Sequence, residues 1–79
     1  MNTEELNPGL VKKIEAFPES GMLFRRLTVS MKDGSVVKGV ICGHNGVEYN
    51  FMAEHGYLKK SDIADVEWEG KGRPEWANK

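Results

Sequence analysis

The stretch MKDGSVVKGVICG, residues 31–43, carries the strongest structural signals in this chain. It starts at the end of LTVSMK (27–32), where apolar and polar residues alternate as they do along a half-buried β-strand. Asp33-Gly34 is a strong signal for a two-residue hairpin turn of type I′, because both central residues of that turn need positive φ. The chain is therefore predicted to return as a second strand, SVVKGVIC (35–42).

Gly39 lies in the middle of that second strand. A mid-strand glycine permits sharp curvature, because no Cβ atom crowds the bend. We predict that the sheet bends at Gly39 strongly enough to close on itself. We predict that Val37, Gly39 and Ile41 of this strand face the core. The alternate residues are then predicted to face outward, namely Val36, Lys38, Val40 and Cys42.

A short helix is predicted before the strands, over about residues 8–17. Asn7 suits the N-cap, and Pro8 suits the first helical position, where a missing N–H costs nothing. Pro18 ends the helix, because the residue before a proline avoids the α region. Four apolar residues at helical spacing form one stripe that must lie on an apolar surface: Leu10, Val11, Ile14 and Phe17.

Three more strands complete the predicted sheet: VEYNFM (47–52), YLKK (57–60) and SDIADVEWE (61–69). Five short strands joined by tight turns are too few for a two-sheet sandwich and suit a small barrel. The predicted fold class is mainly β, an N-terminal short helix followed by a strongly bent five-stranded antiparallel sheet. We expect residues 1–69 to form one domain and residues 70–79 to extend from the last strand as a flexible C-terminal tail.

The composition fits a small globular domain. Of the 79 residues 39% are hydrophobic, and no apolar run approaches the roughly 20 residues of a membrane span. The first residues, MNTEELNPG, are polar and acidic, unlike a secretory signal, and the single cysteine cannot form an internal disulfide. We therefore expect a cytoplasmic protein that does not bind a membrane.

The charges are distributed unevenly along the chain. The net charge is −1, but residues 25–60 carry six basic and three acidic side chains, a local charge of +3. The segments before and after that range each carry −2. This basic centre is weaker than the strong positive surplus that is typical of domains that bind duplex nucleic acid.

Two motifs in this sequence resemble the Sm-like family of small bent-sheet barrels. They are V-x-M-K-D-G-x-x-V-x-G-x-I (29–41) and Y-L-K-K-S-D-I-A-D-V-E-W (57–68). Together with the preceding helix, the resemblance covers residues 8–68. It implies an Sm-like, SH3-like barrel of bacterial type that binds a macromolecule.

Three shorter motifs are similar to the Rof family, small bacterial inhibitors of the Rho termination factor. They are L-T-x-x-x-K-D-G (27–34), V-E-Y (47–49) and L-K-x-x-D-I (58–63). This likeness implies a monomeric, non-enzymatic regulatory adaptor that contacts a protein of RNA or transcription control through acidic residues. The acidic candidates in the matching motifs are Glu48, Asp62 and Asp65.

Three apolar residues are further candidates for contact with a protein. Val36 and Val40, which with Cys42 are predicted to face outward, are too apolar for a wholly solvated strand face, and they suggest contact with the helix, a tail or a partner chain. Trp76 is unusual in a free tail, and three explanations are open: it docks on the barrel, it anchors a partner, or it is merely tolerated.

Single-stranded RNA is the alternative partner, bound by a ring of Sm-like subunits. A closed barrel would bring two polar loops to one end. Histidine can stack on an unpaired base, asparagine can bond to a base edge, and lysines can contact phosphates. The RNA-binding candidates are His44, Asn45, Lys59 and Lys60. A monomer would favour the adaptor, and a homo-oligomeric ring would favour RNA binding.

Metal binding and catalysis are weakly indicated. Cys42 and His44, with Glu54 and His55 downstream, offer ligand atoms, but zinc sites usually contain paired ligands at close spacing, and no second cysteine is present. A cysteine–histidine nucleophile pair would also need an orienting group and an oxyanion hole, and neither is evident. We therefore expect no metal, no cofactor and no enzymatic activity.

Overall fold

The computed structural model describes residues 6–44 and 48–78. These residues form one α-helix, five antiparallel strands and two short 3₁₀ helices, so the prediction of a mainly β fold with one short helix is confirmed. The elements are α1 (Pro8–Ala16), β1 (Phe24–Met31), β2 (Val36–His44), β3 (Tyr49–Ala53), β4 (Gly56–Tyr57) and β5 (Ile63–Gly70), with 3₁₀ helices at Lys60–Asp62 and Glu75–Asn78. Within the described ranges no helix has the length and apolar character needed to cross a bilayer.

The five strands form one open sheet. Its order is β4-β3-β2-β1-β5, so β4 and β5 are the two edges and do not pair with each other. The prediction of a closed barrel is therefore wrong for the part of the chain that the structure describes. The reason is the length of β4, which pairs with β3 only through Gly56 and Tyr57 and offers too few backbone groups to close the sheet.

The helix α1 begins and ends where the sequence predicts. The Asn7 side chain accepts a hydrogen bond of 2.7 Å from Gly9 N, and Pro8 is the first helical residue. Phe17, before Pro18, is already extended. Ile14 is fully buried and packs α1 against the core, as the apolar stripe predicts.

Gly39 forms a β-bulge in β2. The pairing of β1 with β2 shifts register there, so that Lys38 and Gly39 lie opposite Thr28 alone. Gly39 has φ +67°, which is left-handed backbone that glycine adopts without steric cost. Gly39 is thus the irregular point of β2.

The extra residue reverses the alternation of β2 beyond the bulge. Val40 and Cys42 are fully buried in the core, whereas Ile41 lies on the opposite face of the sheet. The predictions that Val40 and Cys42 face outward, and that Ile41 faces inward, are therefore wrong. Burial raises the pKa of the Cys42 thiol to about 12.

The core lies between α1 and the inner face of the sheet. Leu27 and Val29 of the alternating segment in β1 are buried, as are residues of β2, β3 and β5. Trp68 and Met31 are partly buried and pack against the same cluster. The buried apolar side chains are Ile14, Leu27, Val29, Val40, Cys42, Tyr49, Phe51, Ala53, Ile63 and Val66.

The turn after β1 differs in type from the prediction. Gly34 has φ +96°, but Asp33 does not have positive φ, so the predicted type I′ turn is wrong. Met31 instead pairs with Ser35 across a three-residue loop, with 2.8 Å from Met31 N to Ser35 O. The Asp33 carboxylate accepts bonds of 2.9 Å from Ser35 N and 2.6 Å from Ser35 Oγ, which stabilise this longer loop.

Candidate binding surface on the outer face of the sheet

The structure describes three of the four residues predicted to bind RNA, namely His44, Lys59 and Lys60. His44 ends β2, is exposed, and lies with its ring centroid 4.6 Å from that of Tyr49. Lys59 is exposed, and Asn45 lies outside the described residues. Lys60 is only 11% exposed in its side chain and forms an ion pair with Glu48.

The Lys60–Glu48 ion pair brings together two positions that are 12 residues apart. Glu48 directly precedes β3, and Lys60 is the first residue of the 3₁₀ helix after β4. In this pair Lys60, which was predicted to bind RNA, is engaged by Glu48, which was predicted to contact a protein. The Glu48 carboxylate therefore offsets the charge that Lys60 would present to a phosphate.

The other acidic candidates differ in their surroundings. Asp65 accepts a hydrogen bond of 2.9 Å from Lys13 Nζ, and this bond holds the pKa of the Asp65 carboxyl below its usual range. Lys13 also reaches Glu67 at 3.1 Å, so α1 and β5 are joined by an ion-pair cluster. Asp62 is exposed at the end of the 3₁₀ helix before β5.

The three apolar candidates also differ in burial and contacts. Val36 is 56% exposed at the start of β2, as predicted. Val40 is fully buried, so the prediction that it contacts a partner is wrong, because the bulge at Gly39 turns it into the core. Trp76 docks on the sheet, where its Nε1 donates a hydrogen bond of 2.7 Å to Gly39 O.

The cysteine and histidines do not form a metal site. Over residues 6–44 and 48–78, the histidine, cysteine, aspartate and glutamate side chains form no cluster of three that could hold an ion. Cys42 is buried, and its raised pKa keeps the thiol protonated at neutral pH.

The turn before β1 was not predicted from the sequence. Residues Gly21 to Phe24 form a tight turn with Met22 and Leu23 at its tip. Leu23 has φ +67°, and over the described residues no other residue except glycine has positive φ. Met22 is 86% exposed and Leu23 is 74% exposed, so two large apolar side chains project into solvent.

The surrounding residues fix this turn in place. A Cβ atom at position 21 would lie 2.2 Å from the Phe24 ring, so only glycine leaves room for that ring. Buried Ser20 accepts a hydrogen bond of 2.7 Å from Arg26 N, and its own N–H donates to Phe24 O at 2.9 Å. Leu23 is thus held in a strained conformation by its neighbours.

A groove of about 260 Å³ lies beside Leu23 on the outer face of the sheet. Its floor is a row of three side chains that are directly opposite one another on β2, β3 and β4: Ile41, Met52 and Tyr57. Tyr57 is 71% exposed. The apolar outer surface is defined as the four apolar residues that line this groove, together with Met22, which is next to Leu23 in the turn: Met22, Leu23, Ile41, Met52 and Tyr57.

A weak signal for this surface is present in the sequence. The run GMLF (21–24) places three apolar residues after a glycine and before the alternating segment, where they have no position in the strand pattern. Nothing in the run indicates positive φ at a leucine, because that conformation is disfavoured for its side chain.

No protein-family model, no curated protein and no solved structure gives a significant match to the chain.

Proposed function

We propose that this chain is a small non-enzymatic binding protein that contacts another protein through the apolar outer surface. The proposal rests on one observation: Leu23 is exposed and adopts left-handed backbone at the tip of a turn that its neighbours hold in place. A non-glycine residue in this conformation costs about 1–2 kcal/mol, and such strain occurs mostly at functional sites.

The exposure of large apolar side chains to water is a second energetic cost on this surface. Burying a side chain of the size of Met22, Leu23 or Tyr57 contributes roughly 1.5–3 kcal/mol, and this chain leaves all three largely in water. Apolar residues that lie next to each other on a surface mark sites of contact with proteins or ligands more often than scattered ones do. A partner protein that covers this surface would recover that stabilisation.

The fold of the proposed adaptor is Sm-like. Support comes from the short helix before the sheet, the irregular glycine in β2, and β5 pairing with β1 after a 3₁₀ turn at Lys60–Asp62. The partner class, a protein of RNA or transcription control, follows from the motif likeness. Among the acidic candidates, Glu48 and Asp65 pair with lysines of the same chain, and Asp62 is exposed in the 3₁₀ helix before β5.

The test compares variants of the apolar outer surface with a matched exposed residue elsewhere. Leu23→Asn and Tyr57→Ser remove apolar side chains from the surface, and Lys12→Asn changes an exposed side chain on α1, outside it. In nuclease-treated cell extract, we expect the wild type and Lys12→Asn to retain a common protein, and the other two variants to retain at least tenfold less of it, measured by quantitative mass spectrometry. Equal retention by all four would contradict the proposal.

Single-stranded RNA binding is the second candidate, because one cleft supports it. This cleft of about 510 Å³ lies near the start of α1 and is lined by Asn7, Lys32, Lys60 and Ser61, with three apolar residues. Lysine and hydroxyl groups suit phosphate oxygens. The engagement of Lys60 by Glu48 weakens this candidate.

Two measurements distinguish the candidates. Light scattering is expected to give about one chain mass for the adaptor, whereas a hexamer or heptamer would support a ring. Anisotropy titrations with U-rich and A-rich oligonucleotides at low salt are expected to show no binding. Binding that weakens steeply with added salt and with Lys32→Ala would support the RNA candidate instead.

A further inference from the structure

The segment of residues 71–78 packs on the outer face of the sheet instead of extending from β5. Pro74 is buried, and Trp76 donates through Nε1 to Gly39 O at 2.7 Å. Of the three explanations for Trp76, the structure therefore shows docking on the sheet. The segment is called here the C-terminal segment.

The bulge at Gly39 is shaped to receive this segment. A Cβ atom at position 39 would lie 3.1 Å from Pro74 Cβ and 3.3 Å from Trp76 Nε1, closer than these neighbours tolerate without moving. Glycine is therefore required twice, for its φ of +67° and for the close approach of proline and tryptophan. The bulge also leaves the Gly39 carbonyl outside the sheet ladder, where an indole N–H can reach it.

Side chains of the sheet hold the backbone of the segment. Arg26 Nη1 lies 3.4 Å from the carbonyl oxygens of both Gly72 and Arg73. Glu69 orients this contact, because its carboxylate pairs with Arg26 at 3.2 Å and accepts a bond of 2.8 Å from Gly39 N. The guanidinium of Arg73 lies 5.8 Å from the centroid of the Phe24 ring, within the range of a cation–π contact.

The C-terminal segment is joined to the sheet differently from the strands. The pairing of β1 with β5 ends at Gly70, and the segment beyond it docks through side chains, carbonyl oxygens and a backbone bond of 2.7 Å from Gly72 N to Ser20 O. Gly70 and Gly72 both have positive φ, at +129° and +90°, on either side of Lys71. The segment can therefore detach from the sheet without breaking the backbone hydrogen bonds between β1 and β5.

We propose that the outer face around Gly39 is a peptide-binding site for segments with a proline followed two residues later by a tryptophan, and that the chain's own C-terminal segment occupies it in cis. Pro74 and Trp76 show which peptide chemistry the site accepts. A partner protein with the same Pro-x-Trp pattern competes for the site. The inference stands apart from the proposed function, because none of the five residues of the apolar outer surface contributes to it.

Tethering determines how strongly the site is occupied in cis. A ligand attached by a short linker has an effective concentration in the millimolar range. A free peptide of the same sequence therefore binds the wild type poorly, and binds well when the tethered copy is disabled. This difference is what a competition experiment measures.

The experiment uses the full chain and a labelled peptide of its own sequence, KGRPEWAN (71–78). The chain that carries Pro74→Ala and Trp76→Ala is expected to bind the peptide at least tenfold more tightly than the wild type, measured by fluorescence anisotropy. The same peptide with Trp76→Ala is the matched control and is expected not to bind. Adding Gly39→Ala to the double variant is expected to weaken binding at least tenfold, because the added Cβ atom would lie 3.1 Å from the position of Pro74 Cβ and 3.3 Å from that of Trp76 Nε1.

Two outcomes overturn the proposal: a folded double variant that does not bind the peptide, or equal binding by the double variant and the wild type. If the double variant does not fold, hydrogen exchange of the wild type gives the answer. The indole N–H of Trp76 is expected to exchange at least 100-fold faster than the slowest amides of β1. Exchange of both at one rate would show that the segment is an integral part of the fold, which also overturns the proposal.

Discussion

The two tight turns that bound β1 are built from opposite kinds of residue. The turn after β1 combines Asp33, whose carboxylate accepts hydrogen bonds from Ser35, with Gly34 at positive φ. The turn before β1 places Leu23 at positive φ and exposes it together with Met22. One turn follows the local preferences of its residues and the other contradicts them.

This difference indicates which of the two turns is the better candidate for a functional role. A turn whose residues suit its backbone needs no explanation beyond the hairpin that it closes. A turn that is strained, apolar and exposed lowers stability at one place, and such local conflicts are expected at functional sites. The following predictions change one turn at a time.

The largest effect is expected at Gly21. In Gly21→Ala the new Cβ atom meets the Phe24 ring at 2.2 Å, so the ring must move. Overpacking of this kind costs about 2 kcal/mol, and the thermal midpoint should fall by roughly 10 °C. The control is Gly43→Ala, where a Cβ atom meets nothing within 4 Å. Equal midpoints for the two variants would show that the turn before β1 is loosely held.

The next largest effect is expected at Gly34. A Cβ atom there meets nothing within 4 Å, but φ is +96°, so alanine is strained without any clash. We expect Gly34→Ala to lower the free energy of unfolding by about 1 kcal/mol, measured by urea denaturation. A neutral result, as expected for Gly43→Ala, would mean that this loop adopts another backbone at no cost.

A smaller effect of opposite sign is expected at Leu23. Asparagine tolerates left-handed backbone better than leucine, and little apolar burial is lost at a side chain that is 74% exposed. We expect Leu23→Asn to raise the free energy of unfolding by about 0.5 kcal/mol while it abolishes partner binding. Val36→Asn, at an exposed strand position, is expected to lower it by a similar amount. A destabilised Leu23→Asn would remove the argument from strain.

The smallest effect concerns pH and Asp33. Hydrogen bonds from the Ser35 hydroxyl and backbone N–H lower the pKa of Asp33. A carboxyl whose pKa is lowered by folding stabilises the fold above its unfolded pKa, near 4, and loses that contribution as the pH falls through its folded pKa. Asparagine keeps an acceptor oxygen but cannot titrate. Urea midpoints between pH 5 and pH 2 should therefore fall less steeply in Asp33→Asn than in the wild type.

The control for this titration is Ser35→Ala, which removes the hydroxyl donor but keeps the Asp33 carboxyl and its hydrogen bond from the Ser35 backbone N–H. We expect its midpoints to fall with a slope between those of the wild type and Asp33→Asn. Some acid sensitivity should remain in Asp33→Asn, because the pKa of Asp65 is also lowered, by its hydrogen bond from Lys13. Identical slopes for the wild type and Asp33→Asn would show that the Ser35 bonds do not persist in solution.

Much of the fold was predictable because local signals agree with it. Asn7, Pro8 and Pro18 define α1 by capping and by proline geometry, which depend on a few neighbouring residues. The alternation of Leu27 and Val29 gives the inward face of β1 directly. These features need no knowledge of distant parts of the chain.

The direction of β2 beyond Gly39 was not predictable from the same reasoning. Apolar residues stand at both 36 and 37 and again at both 40 and 41, so either alternation gives an acceptable pattern. Only the bulge, whose register depends on pairing with β1, places Val40 and Cys42 in the core. Closure of the sheet likewise depends on the length of β4, which no local motif specifies.

The candidate site was hardest to predict, because it depends on strain and on distant contacts. Leu23 adopts positive φ through the packing of Phe24 and the hydrogen bonds of Ser20, not through its own preference. Trp76 finds its acceptor 37 residues away, at a carbonyl that is available only because of the bulge. Lys60 was predicted as a charge for RNA but is engaged by Glu48.

Because Cys42 is buried, chemical modification of this native thiol can be used to measure how often the sheet opens. A thiol inside the core, with a pKa near 12, is neither accessible nor ionised at neutral pH, so alkylating reagents do not modify it in the closed state. Each modification event at Cys42 therefore reports an opening of β2, and the modification rate measures how often that opening occurs. Cysteines introduced at the surface can be labelled selectively in the same chain, because the native thiol does not compete.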